Sequence, residues 1–291
     1  MVLARFSRAV KTLAAGILLV AGVAYADEEP PPIATGAGGA VAGWSDVIID
    51  NGLVMPPSDL GLYGIMGVAR TTTEEPPVPP ATMGIKNIDT AFDLTAGIGY
   101  GVNDQITVGG QYTFPVANGD GAFKNVGSLV GYGGYAALRD AKMALVVGAD
   151  IQLDVLAQTT GILHAGVSFK YRLAPKVIFY SGNPLAPGPY GQQLVIGLNN
   201  SSAVALDVPV GFGFQGNPKL FLWAQTALAH IKIANTANMF FAADYLPLQV
   251  GALYRAAKDV DVGGFVDFPD LENISHFFAV GVTARYYKHA K

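Results

Sequence analysis

Between Phe92 and Tyr100 apolar and polar positions alternate one by one. Phe92, Leu94, Ala96, Ile98 and Tyr100 fall on one side, and Asp93, Thr95, Gly97 and Gly99 on the other. After the tight stretch Gly101-Val102-Asn103-Asp104 the alternation resumes, with Ile106, Val108, Gly110, Tyr112 and Phe114 against Thr107, Gly109, Gln111 and Thr113. Successive strand side chains point to opposite faces, so a period of two on both sides of a short polar turn predicts a β-hairpin. The polar face is built from Gly, Thr, Gln and Asp, where a soluble sheet usually carries Lys and Glu. Aromatics stand at the strand ends of the apolar face. Apolar towards lipid, small and polar towards a lumen, aromatic at the interfaces: this is the pattern of a strand that crosses a bilayer.

The unit recurs to the end of the chain. Strands are expected at about 61–70, 91–100, 106–114, 126–138, 142–153, 162–173 and 176–181, then one ending at Gln215 that starts between Gln193 and Ala203, then 220–231, 245–256, 260–268 and 276–287. The fourth, seventh and ninth alternate poorly. Between strands, the stretches GVND, RDA, LAP, GNP and AAK are tight, whereas the intervening connections are mostly longer and richer in Gly, Pro or Asn. One of them, through Glu74-Glu75-Pro76-Pro77-Val78-Pro79-Pro80, carries prolines that cannot join a ladder. Short turns at one end and long loops at the other predict an all-β, antiparallel, up-and-down transmembrane β-barrel with both termini on the turn side. Twelve strands is the preferred count; ten or fourteen stay open because 194–199 reads either way.

Composition agrees. The chain has 291 residues, 51% of them hydrophobic and 14% charged, with a mean hydropathy of +0.35. Beyond the N-terminus no run of ~18 uninterrupted apolar residues occurs, which excludes a bundle of membrane helices. Arg5, Arg8 and Lys11 precede an apolar run closed by Ala24-Tyr25-Ala26, so 1–26 reads as a secretory signal peptide. Removing it leaves 15 basic against 22 acidic residues, a formal charge of −7, and no electrostatic case for nucleic acid. With no Cys there is no disulfide framework and no thiol chemistry. Residues 27–59 are rich in Pro and Gly around a short apolar piece near Trp44 to Ile49. They read as a periplasmic lead-in rather than a plug in the lumen, and 60–291 as the barrel.

On these residues the chain resembles a Gram-negative outer-membrane β-barrel of the porin-like kind. The units Tyr100-Gly101-Val102-Asn103-Asp104-Gln105-Ile106 and Tyr254-Arg255-Ala256-Ala257-Lys258-Asp259-Val260-Asp261-Val262-Gly263 are similar to the periplasmic hairpins of such barrels. The resemblance covers about residue 60 to the end and rests on composition. It implies a bacterial outer-membrane location, contact with outer-membrane lipid, and small ions or solutes as cargo; it implies no cofactor and leaves the oligomeric state open. One departure is the C-terminus. Such barrels usually finish on an aromatic, and here Tyr286-Tyr287 is followed by Lys288-His289-Ala290-Lys291.

Assigning the apolar parity to lipid makes Asp93, Lys142, Asp150, Asp154, His164, Lys170, Arg172, Asp207, Arg255, Asp259, Asp261, Asp267 and Arg285 lumen-lining. A charge on the lipid face would cost ~2–4 kcal/mol at mid-depth for Arg or Lys, so this sorting suits a barrel. A soluble β-sandwich shares the parity, but the leader, the scarcity of Lys and Glu and the interfacial aromatics favour the membrane. Asp150, His164 and Ser168 share the inward face and suggest a nucleophilic triad. Four strand residues span ~13 Å, however, too far for a His–Ser hydrogen bond, and no catalytic role is assigned. His230, His276 and His289 have no ligand spacing for a metal. The expected function is a narrow passive channel or small-solute transporter, since twelve strands lie between a filled eight-stranded barrel and an open sixteen-stranded porin. A closed structural or surface-interaction barrel is the alternative, and a lipid-modifying barrel enzyme ranks behind both. Arg255, Asp259 and Arg285 are expected as one inward row at the turn end. Asp93, Asp150, Asp154 and Asp267, near the loop ends, are expected to make the outer mouth of an open lumen prefer small cations.

Overall fold

The computed structural model describes residues 47–75, 85–117, 127–154, 161–182, 192–197, 204–233, 239–241, 247–268, 271 and 277–289. The expected leader 1–26, the expected lead-in residues 27–46 and His276 lie outside the described residues. The alternating segments form β1 (Leu60–Glu75), β2 (Ile85–Gly101), β3 (Ile106–Ala117), β4 (Ser128–Arg139), β5 (Met143–Asp154), β6 (Gly161–Ala174), β7 (Val177–Ser181), β8 (Gln192–Gly197), β9 (Val204–Asn217), β10 (Leu220–Ile233), β11 (Met239–Phe241), β12 (Leu248–Ala257), β13 (Val260–Phe268) and β14 (Phe277–Lys288).

Every pairing is antiparallel, and β1 bonds both β2 and β14, so the sheet closes on itself. The fourteen strands occupy twelve places in the wall. β7 and β8 both pair with β6 and with β9, one above the other, as a single interrupted strand. β11 and β12 share β10 in the same way. This resolves the described part of the open stretch, 194–197: it belongs to β8, in line with β7, and not to the strand expected to end at Gln215, while 198–199 lie outside the described residues. Closure leaves no edge strand to aggregate.

The outer surface is apolar. Leu62, Met66, Leu94, Ile98, Val108, Leu129, Val147, Ile151, Val167, Leu222, Val262 and Val282 are all exposed there. Tyr100, Tyr135, Tyr254 and Tyr286 form an exposed aromatic row close to the turns. Among described strand side chains on this face, charge stands only at the ends, in Arg70 and Lys288. No helix among the described residues is long and apolar enough to cross a membrane.

Three short turns share one device. Asn103 Oδ1 accepts the N–H of Gln105 and Ile106 at 2.8 Å each, Asp140 Oδ1 those of Lys142 and Met143 at 2.7 Å, and Asn217 Oδ1 those of Lys219 and Leu220 at 2.9 and 3.0 Å. A short polar side chain thus replaces a backbone acceptor where the ladder ends. For Asp140 these bonds hold the carboxyl below the usual carboxylate range. Its contribution to the turn is therefore present above the ordinary Asp value and lost as pH falls through the depressed one. The expected result is that the amide resonances of Lys142 and Met143 titrate together, below the ordinary Asp midpoint of ~3.9. A shared midpoint at that value would contradict it.

The inner face holds a second pattern. Tyr63 stands directly across from Gly97, Tyr132 from Gly109, Tyr180 from Gly211, Trp223 from Gly251 and Phe265 from Gly281. In each case the ring lies where the glycine's Cβ would be; at Gly251, for example, a Cβ would sit 2.6 Å from the Trp223 ring. Laying the ring flat along the wall fills the barrel without bending a strand. Aromatics were expected on the lipid side, yet these five point inward.

Candidate functional site

The turn end of the lumen is occupied by the chain's own N-terminal segment. Val47-Ile48-Ile49-Asp50 makes a short 3₁₀ turn over Ile48–Asp50, and Ile48 and Ile49 pack among the inward residues Ile178, Tyr180, Phe221, Trp223 and Leu253. Val54 packs with Ala136 and Val146, and Met55 is fully buried. This corrects the expectation of a periplasmic lead-in for residues 47–57. Apolar side chains in the segment gain about 1.5–3 kcal/mol each when fully buried, and the inward residues Ile178, Phe221, Trp223 and Leu253 supply apolar surface for them.

Polar wall residues fix the segment in place. Gln215 Oε1 accepts the Ile49 N–H at 3.0 Å, and Thr107 Oγ1 accepts the Met55 N–H at 2.7 Å. Lys170 Nζ donates to the carbonyls of Ile49 at 3.1 Å and Asn51 at 2.5 Å, and Arg172 pairs with Asp50. Further along, the Ser58 N–H donates to Gly101 O at 2.7 Å and the Gly101 N–H to Asp59 O at 3.0 Å, so the segment runs into β1 by bonding the end of β2. A Cβ on Gly101 would strike the Pro56 carbonyl, so this crossing requires glycine. His289 closes the arrangement, with Nδ1 2.8 Å from Asp59 and Nε2 3.1 Å from Asp259.

The other anticipated residues distribute as follows. Arg255, Asp261 and Arg285 stand opposite one another on β12, β13 and β14. Asp261 is fully buried, pairs with Arg255, and accepts from Arg285 Nη2 at 2.8 Å. The expected row had Asp259 in this place. The chain turns at Lys258-Asp259, later than expected, and a bulge between Arg255 and Ala257 shifts the register, so Asp261 takes the central position and Asp259 lies in the turn beside His289. Asp150 faces His164 across β5 and β6 with Oδ1 and Nδ1 2.5 Å apart. Ser168 stands opposite Val146 with its hydroxyl buried, apart from that pair, so no nucleophile is assembled. Asp93 stands opposite Gly67, and Asp267 opposite Gln249 and Ala279, all in the inward register. Asp154 is opposite Ser128 and Asp207 opposite His230; these two carboxylates and His230's ring lie outside the described side chains. Lys142 departs from its assignment. It is exposed in the turn before β5, and its ammonium sits 5.3 Å from the ring centre of Tyr171, which faces outward. Among the described residues no group of three His, Cys, Asp or Glu could hold a metal.

The sequence reading missed Asp50, Thr107 and Gln215 as contacts. The only local signal was the triplet Val47-Ile48-Ile49, too apolar for a solvated linker.

Neither a known family model nor a curated protein sequence matches the chain. Among solved structures it is similar to the KdgM porin in complex with disordered oligogalacturonate, at 7% identity over 77% of this chain and 99% of that one, with a TM-score of 0.49. It is likewise similar to the NanC porin (9% identity, 77% and 98% covered, TM-score 0.48) and to an outer membrane channel from Pseudomonas putida F1 (12%, 81% and 97%, TM-score 0.47). At such identities the likeness is one of barrel architecture, and the closed twelve-place wall stands on its own strand register.

Proposed function

We propose that this chain is a bacterial outer-membrane barrel that works as a narrow channel for small ions or solutes, closed at the turn end by its own residues 47–57. The exposed apolar belt and its tyrosine row support the membrane reading, because in water such a surface would drive association. The observation that carries the channel reading is how the segment is held: two side-chain acceptors, one ammonium and one ion pair fix a non-covalent insert inside a wall that closes without it. Asp93 and Asp267 near the loop end give the outer mouth an acidic lining, which concentrates small cations there at low salt.

The packed turn half of the lumen favours a second reading, a closed structural barrel. Conductance of the purified full chain in a planar bilayer separates them. The intact chain is expected to be nearly silent. Replacing Ile48, Ile49, Val54 and Met55 by serine removes the segment's apolar anchorage, and this variant is expected to show frequent openings. Its folding is checked by the shift between unheated and boiled samples on SDS gels. Silence from a folded serine variant would favour the closed barrel.

A further inference from the structure

The contacts of Lys170 and Arg172 define what their place in the wall can hold. Both stand on the inward face of β6. Among the described residues neither has a carboxylate partner on the wall: Lys170 donates to two segment carbonyls, and Arg172 to the Pro175 carbonyl and to Asp50. Arg139 lies in the same cross-strand row as Lys170, through Ala144. Two other groupings among the described residues find their partners within the wall itself. Asp261 is shared by Arg255 and Arg285, and Asp150 faces His164. Among the described residues, Arg172 instead takes its counter-charge from the segment's Asp50, and Lys170 bonds segment carbonyls.

We propose that Lys170 and Arg172 form an anion seat, taken here by the segment's Asp50 carboxylate and two carbonyl oxygens, and that small carboxylate-bearing solutes compete for it. The inference rests on the reading of residues 47–57 as a displaceable insert. An ammonium beside a guanidinium on one face of the wall offers directed donors to a group with several anionic oxygens. The segment presents that group itself. Its departure leaves two cations facing the passage, so the turn end prefers anions although the chain as a whole is acidic.

Citrate is the probe. Isothermal titration of the full chain and of the four-serine variant in detergent micelles is expected to show at least tenfold tighter citrate binding in the variant, because the segment no longer competes. Lys170→Gln with Arg172→Gln in the serine background is expected to weaken that binding at least tenfold, while Lys170→Arg with Arg172→Lys retains most of it. If the glutamine pair does not fold, Arg172→Gln alone gives the same comparison, since the hydrogen bonds of its side chain go to Asp50 and the Pro175 carbonyl. Equal affinity in the intact chain and the serine variant, or binding indifferent to the glutamine substitutions, overturns the seat. Citrate binding as described in a variant that never conducts leaves the seat standing and removes the channel reading instead.

Discussion

Replacing Asp261 with alanine is expected to cost about 3–5 kcal/mol of barrel stability, because it leaves two guanidinium groups buried in the wall without their shared counter-ion. Asp261 is fully buried and Arg255 and Arg285 nearly so, which denies the unpaired charges water. The same reasoning sets the control. Changing all three together, Arg255→Met, Asp261→Leu and Arg285→Met, removes the desolvation penalty along with the attraction, and is expected to stay within about 1–2 kcal/mol of the parent. Urea unfolding in lipid vesicles, followed by tryptophan fluorescence, measures both. A single substitution costing under about 1 kcal/mol, or a triple one as damaging as the single, would mean that the three charges are wetter than their burial indicates.

Gly97→Val is expected to destabilise the barrel by about 1–3 kcal/mol, the usual range for overpacking a filled interior. The three atoms nearest to a Cβ there all belong to the side chain of Tyr63, whose hydroxyl donates to Gln111 Oε1 at 2.7 Å and so cannot swing aside freely. Tyr63→Ala opens the space. In that background Gly97→Val is expected to lose most of its cost, giving a coupling energy of at least about 1 kcal/mol in a double-mutant cycle. Additive costs would show that the glycine serves the strand backbone and not the ring.

Most of the wall could be read from residues alone, for a physical reason. A strand with lipid on one side and a lumen on the other must alternate, and Leu94 to Tyr100 or Val280 to Tyr286 do so without a break. Register at the ends was less legible. Arg255 meets Asp261 and not Asp259 because the chain turns at Lys258-Asp259, later than expected, and one bulge beside Ala257 absorbs a residue; nothing in Ala256-Ala257-Lys258 announces either. The division of one wall place between β7 and β8 escaped for a related reason: a strand's lateral partner is set by distant residues. The occupied lumen was hardest. Ile48, Ile49 and Met55 are buried by Ile178, Phe221, Leu253 and Thr107, residues dozens to hundreds of positions away, so local pattern carries only the hint that the segment is too apolar for water.

The seat of the N-terminal segment bears on assembly order. Its polar contacts come from β3, β6 and β9, its apolar ones reach β10 and β12, and its outlet is clasped by His289, just past the last strand. The full set of contacts is complete only once β14 has joined β1 and brought His289 to Asp59, so the part of this chain that is synthesised early is expected to be fixed last. Protection of residues 47–57 from added protease would therefore serve as a clock for the moment of closure during insertion, lagging behind the appearance of strand structure.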